Sequence, residues 1–355
     1  QASDERLSRQ PEIDAEIENL LPRTLSDAAL TEQFGEPRFT YDTAALQKAL
    51  IDPVWDLLDR GGKRWRPVLF LKLIEGLGAD PADYLPYAII PEILHTGTII
   101  VDDVEDDATL RRGEEAIHLR YGTDIALNAG NALYFIPLKI VTRNPADLST
   151  ETRLAIFDML THELNRTHLG QGTDIVWHNQ ADIDIEEGEY LEMSACKTGC
   201  LGRIAGRLAA LVTNQPTPVE NAFADYAESL SIAFQIGDDI LDILNTLDQA
   251  GEFGKAFGND IHEGKRTLMV IHAVDQASPE DARRLEEILN GTDITNEEVM
   301  EAIEIMQDAG SIDYARDTAR QLAADARAQL DRVDLNPEVT EELKNFTRFV
   351  INREV

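Results

Sequence analysis

The chain has 355 residues, 43% of them hydrophobic, with 66 acidic residues against 32 basic ones and a net charge of −34. That balance excludes a general binder of nucleic acid or of anionic membrane, because phosphate contacts need clustered Lys and Arg. The acid is spread along the whole chain and lysine is scarce, which points to a soluble protein of a salt-rich cytoplasm, where salt screens self-repulsion. The two cysteines, Cys196 and Cys200, form no Cys-x-x-Cys pattern and read as buried, reduced helix residues of an intracellular compartment. No secretory signal and no uninterrupted apolar run of bilayer length is read, so no stable membrane insertion is expected.

Residues 1–38 are polar, with Pro11, Pro22 and Pro37, and read as a short helix followed by a surface arm. From Asp42 the 3.6-residue apolar period dominates, and residues 39–355 are expected to form a single all-α domain. Helices are predicted over 42–59 and 64–77, joined by Gly61-Gly62-Lys63-Arg64-Trp65-Arg66-Pro67. Two flexible residues before Lys63 and Arg66, at a helix start, suit an anion. The next predicted helix, 82–106, carries His95, the small Gly97 and Thr98, and Asp102-Asp103-Val104-Glu105-Asp106. His95 precedes Asp102 by seven residues, two turns along one face. Thr109-Leu110-Arg111-Arg112-Gly113 follows, where paired guanidiniums could fork onto phosphate oxygens.

Helices over 115–121, 123–141 and 149–170 come next, the last closed by Gln171-Gly172-Thr173-Asp174, which is expected to pack against a helix or orient a lysine. The predicted helix 186–212 carries Lys197-Thr198, and 218–246 carries Gln235 before a second cluster, Asp238-Asp239-Ile240-Leu241-Asp242. A loop with Gly254-Lys255 and Glu263-Gly264-Lys265-Arg266-Thr267 could fold back over it. The remaining helices are predicted over 265–274, 279–289, 295–307, 310–332 and 336–352, with no tandem repeat and no linker-length break.

The two aspartate clusters share one shape, 136 residues apart (238 − 102). On a helix, positions i, i+1 and i+4 fall within one narrow arc, so each cluster crowds three carboxylates onto one face. Such crowding in apolar surroundings persists most naturally when a hard dication neutralises it, usually Mg2+. Because Mg2+ prefers substrate phosphates to an all-protein cage, a diphosphate ligand is implied as well. Lysine usage agrees: of eight lysines, Lys63, Lys197, Lys255 and Lys265 stand beside Gly or Thr, where a compact ammonium could meet phosphate.

Taken together, HTGTIIVDDVEDDATLRRG, GGKRWRP, GQGTDIVW, KTG, FQIGDDILD and GKAFGNDIHEGKRTL resemble the trans-isoprenyl diphosphate synthases, and most of all the geranylgeranyl diphosphate synthases, from about residue 50 to about 275. The resemblance implies an isoprenoid-synthase-type all-α bundle around a deep central cavity, with the aspartate helices facing each other across its mouth, and a cytoplasmic homodimer. It implies condensation of isopentenyl diphosphate head-to-tail with an allylic diphosphate, with three Mg2+ ions per site. Asp102 and Asp106, assisted by Asp103, would bind Mg2+ on one side, and Asp238, helped by Asp239 and Asp242, on the other. Arg111, Lys197, Thr198, Gln235, Lys255 and Lys265 match positions that hold the allylic diphosphate; Lys63, Arg66, His95 and Arg112 match those that hold isopentenyl diphosphate. An inactive modulatory subunit would show damage to these motifs, and a terpene cyclase needs no isopentenyl site; neither fits. For chain length, Gly97 and Thr98 are small where shorter-chain synthases tend to be aromatic, and Tyr134, Phe135 and His168 resemble a deeper floor. That favours a C20 product, with C25 as the alternative.

Overall fold

The apolar period becomes helix almost wherever the sequence predicts it. The structure, a computed structural model, describes residues 2–62, 64–248 and 258–351, so Lys63 and Lys255 lie outside the described residues. The fold is all-α. Among the described residues the strands are Leu110–Arg111 and Glu114–Glu115, paired antiparallel with Leu110 opposite Glu115. Arg112 and Gly113 both take positive φ (54° and 80°), the conformation of the tightest hairpin turn.

The chain sorts into two compact units, each built from separate stretches of sequence. One comprises Gln1–Thr161, Ile204–Glu220 and Leu335–Val339; the other comprises His162–Arg203, Asn221–Asp334 and Thr340–Val355.

In the first unit the helix Ala2–Leu20 packs on Trp65–Gly76, burying Ile13, Ile17 and Leu20, and the Trp55 indole donates to the Leu21 carbonyl at 3.0 Å. The short helix read at the start of the chain is held in the core, since its Ile13/Ile17 pair repeats at helical spacing and is fully covered. Where helix 82–106 was predicted, a 3-10 turn Pro81–Tyr84 leads through Leu85–Ala88 into Ile90–Glu105, with Pro91 at the start. The stretch Pro81–Glu105 is, against expectation, long and apolar enough to cross a membrane by composition, yet 67% of its apolar window is buried inside the chain. It is a core helix. It crosses Thr123–Ala132 closely at Gly97 and Gly130: a Cβ on Gly97 would come within 2.8 Å of the Gly130 carbonyl oxygen.

In the second unit, Ile232, Ile236, Ile240 and Ile243 form one face of the helix Thr217–Asp248 and join a core with Met193, Leu268, Met269 and Ile303. The helix Thr150–His178 runs on past the expected stop near Gly170, because that glycine serves packing and not termination. A Cβ there would meet the Lys197 backbone nitrogen at 2.3 Å. Helix 186–212 is interrupted by a π-turn, Ala195–Gly199, between Glu187–Ser194 and Cys200–Val212. Such turns insert a residue and often mark functional positions; this one carries Lys197 and Thr198.

Candidate active site

The first unit gathers arginines. Gly61 and Gly62 (φ 88° and 150°) and Arg64 (φ 44°) bend the chain into the Trp65–Gly76 helix. The turn places the Arg64 guanidinium against Glu92, with a hydrogen bond of 2.8 Å, and against the Leu58 carbonyl at 3.1 Å. Arg66 is 6% exposed and stacks over the Trp65 ring at 4.7 Å. From the hairpin turn Arg112 reaches back to the carbonyls of Leu57 (3.1 Å) and Gly61, and its guanidinium fills the space that a Gly62 side chain would need. Arg60 donates to the Arg111 and Glu115 carbonyls and so pins the hairpin.

His95 faces this cluster. Burial first, then Arg66, Arg112, Arg111 and Arg64, holds its pKa well below the ordinary value, so the imidazole is neutral near pH 7. Burial also lowers the Arg66 guanidinium, to about 10, while Glu92 opposes the drop. In a chain of net charge −34, four guanidiniums around one buried glutamate and one neutral imidazole make a strongly cationic locus. Glu92, one turn before His95 on the same face, is its buried counter-ion and was missed in the sequence, where a lone glutamate gives no signal.

On the same helix, Asp103 is 1% exposed and takes a two-nitrogen grip from Arg111, whose Nε donates at 3.0 and 3.1 Å. Asp102 is half-buried and Asp106 exposed. The helix ends just there: Asp107 takes φ 52° and the Ala108 N–H returns to the Asp103 carbonyl at 2.9 Å.

The second unit repeats the pattern. Asp239 is 3% exposed and accepts from Lys265 Nζ at 2.5 Å and from Gln235 Nε2 at 2.9 Å, while Asp238 and Asp242 are half-buried. In both clusters, then, the second aspartate is buried and paired with a cation. Asp242 accepts from the Asp260 N–H at 3.2 Å, and Asp260 stands 3.7 Å from Lys265. Burial above all, with Asp239 and Asp242 adding to it against Lys265, pushes the Asp260 carboxyl up to about 8. Asp260 joins this acidic group although the sequence reading passed over it. Burial would lower the Lys265 ammonium, but Asp239 and Asp260 hold it well above its ordinary value.

Lys197 Nζ donates to Asp174 at 2.6 Å; burial raises that carboxyl, yet Lys197, with His178, brings it below the usual range. The GQGTD segment thus orients a lysine, as one of its two readings had it. Thr198, the next residue of the π-turn, is half-buried.

Among the described residues, no three His, Cys, Asp or Glu side chains converge as a ready-made cage for a metal. The donor set still fits Mg2+. That ion takes one or two carboxylates per face and completes its shell with water and phosphate, and carboxyls raised by burial first and by neighbouring acid second, as Asp242 and Asp260 are, favour a dication.

The chain-length residues divide. Thr98 is 5% exposed, its hydroxyl donating to the His95 carbonyl, and Tyr134 stacks its ring edge against Gly97. Phe135 is 69% exposed; His168, also exposed, lines a shallow apolar hollow with Leu169, Val176 and Trp177.

The sequence model of the polyprenyl synthetase family matches residues 47–306. A short chain isoprenyl diphosphate synthase of Methanothermobacter thermautotrophicus is 34% identical over 84% of this chain and 88% of that protein. A geranylfarnesyl diphosphate synthase of Natronomonas pharaonis is 33% identical over the same shares, 84% and 88%. The solved structure of geranylgeranyl pyrophosphate synthetase from Pyrococcus horikoshii superposes with a TM-score of 0.84 at 25% identity, covering 99% of this chain and 98% of that one. With its motifs in helical register and relatives a third identical over most of its length, the chain belongs to the polyprenyl synthetase family and is a trans-prenyltransferase.

Proposed function

We propose that the enzyme joins isopentenyl diphosphate head-to-tail to allylic diphosphates and releases geranylgeranyl diphosphate, a C20 product. The observation that carries this reading is the arginine cluster around His95 and Glu92, on the same helix as the Asp102 cluster. Arg66, Arg112 and His95, with Lys63 beside them in sequence, hold the isopentenyl diphosphate; a neutral imidazole can donate to phosphate without adding charge. Arg111, Lys197 and Lys265, with Lys255, hold the allylic diphosphate. Mg2+, held by Asp102 and Asp106 with Asp103, and by Asp238 with Asp239 and Asp242, supplies Lewis-acid stabilisation of that leaving group.

As the allylic C–O bond breaks, the lysine and arginine side chains meet the charge growing on the departing diphosphate. The Thr198 hydroxyl and Gln235 carbonyl oxygen lie on elements that carry Lys197 and Asp238, and stabilise the allylic cation without trapping it. The isopentenyl double bond attacks, a proton leaves its C2 to the released diphosphate, and no protein base is required. Water is kept from the cation by apolar walls.

Support for C20 comes from the small pair Gly97 and Thr98, the Tyr134 ring beside them, and the Pyrococcus relative. The Natronomonas relative supports C25 as the second reading. A homodimer in a salt-rich cytoplasm is part of the same reading, supported by the net charge and by Leu169 and Val176, 67% and 53% exposed on one helix face. The test is to incubate the full chain with Mg2+, radiolabelled isopentenyl diphosphate and each allylic primer, then size the dephosphorylated products by chromatography. A C20 alcohol is expected, and absence of any incorporation with every primer would overturn the reading.

A further inference from the structure

Arg266 follows Lys265 directly, yet its side chain goes the other way. It is 2% exposed, among the largest fully buried side chains of the chain. Its guanidinium donates to the carbonyls of Gly264 (2.5 Å) and Gln180 (2.9 Å) and to Asn290 Oδ1 (2.7 Å). Asn290 in turn donates to the Ala181 carbonyl at 2.6 Å. All of these acceptors are neutral, and burial accordingly lowers the Arg266 pKa. A buried cation with no carboxylate in hydrogen-bond contact is a costly way to fill space. Its planar fork of donors does what an apolar side chain cannot: it binds three separate segments at once.

Those segments matter. Gln180 and Ala181 follow the helix Thr150–His178, which presents Asp174 to Lys197; Asn290 closes the helix Pro279–Leu289. Gly264, at φ +67°, packs so tightly that a Cβ would lie 2.6 Å from the Leu289 carbonyl oxygen. Lys265 is held from both sides. Its N–H bonds to the Asp260 carbonyl at 2.9 Å, and two residues on the Thr267 hydroxyl caps the next helix by accepting from Val270 N–H.

We infer that Arg266 is a positioning residue for the allylic diphosphate, fixing the backbone from which Lys265 reaches Asp239 and tying it to the helix end that sets Asp174 and Lys197. This rests on the proposed reading that Lys265 and Lys197 hold that diphosphate.

The experiment measures kcat and KM for both substrates in wild type, Arg266→Met, Arg266→Lys, Lys265→Ala and the Met/Ala double variant, with folding checked by circular dichroism and melting. Arg266→Met is expected to raise the allylic KM about tenfold or more and leave the isopentenyl KM within twofold, with partial recovery in Arg266→Lys. In the Lys265→Ala background the same change should add little. If Arg266→Met folds and the allylic KM stays within twofold, or if its loss adds fully to that of Lys265→Ala, the inference is overturned. If Lys265→Ala itself leaves the allylic KM unchanged, the site reading falls, and the inference with it. Should Arg266→Met not fold, Asn290→Ala decides: a rise of about threefold in the allylic KM supports the inference, and no rise overturns it.

Discussion

Asp103 and Asp239 hold the same place in their clusters, second of three, and each gives its charge to a neighbouring cation. The remaining members, Asp102 with Asp106 and Asp238 with Asp242, are the more accessible carboxylates. The clusters should therefore respond differently to alanine at different positions. Asp102→Ala or Asp238→Ala is expected to cost several kcal/mol of transition-state stabilisation with little change in melting, read as kcat/KM under saturating Mg2+. Asp239→Ala should also destabilise the fold, by about 3 kcal/mol, because Lys265 loses its nearest counter-charge; urea titration measures it. His95 adds a pH signature. Its folded pKa lies below the unfolded value of about 6.5, so the unfolded state binds the proton first as pH falls. Stability is complete above about pH 6.5 and drops by up to about 1.4 kcal/mol per unit below it, down to the folded pKa. Equilibrium unfolding of wild type and His95→Gln between pH 7 and 5 should show a slope that the variant lacks. The aspartates and the arginine motifs were legible because identical charges at i, i+1 and i+4 have no easy structural use. Glu92 and Asp260 were not, because what marks them is a partner distant in sequence.

Gly170, at the predicted end of a helix, turns out to be a contact point. Gly170 sits inside a continuous helix, and what it permits is the approach of the Lys197 backbone. Gly170→Ala would push that π-turn away, so a loss of about 1–3 kcal/mol in stability is expected together with a fall in activity, measured by melting and by turnover. Gly97 is bound up with Gly130 in the same manner, which leaves Thr98 as the position to probe product length. Thr98→Phe should shift the product toward C15, and unchanged chain length by chromatography would show that the growing chain runs elsewhere. Neither π-turn nor hairpin was legible. An extra residue in a helix leaves the apolar period nearly intact, and an arginine at φ 54° is held there by its own contacts with Leu57 and Gly61 and not by its type.

At the scale of the molecule, helix content and the order of elements were read well from the apolar period, while membership in either compact unit was not, since it depends on contacts between distant stretches. Charge acts at this scale too. With 66 acidic residues against 32 basic ones, raising KCl from 0.1 M to 2 M shortens the screening length from about 10 Å to a few ångström. The melting temperature should climb by several degrees, and a flat response in calorimetry would show that self-repulsion is already balanced. Leu335 and Val339, both buried, pack on Gly76, and the Asn336 N–H bonds to the Gly76 carbonyl at 2.8 Å. That short stretch completes its unit from far along the chain, more than a hundred residues past the unit's preceding segment, Ile204–Glu220. During synthesis the helix around Gly76 must therefore wait, apolar flank uncovered, until that far later stretch has been made.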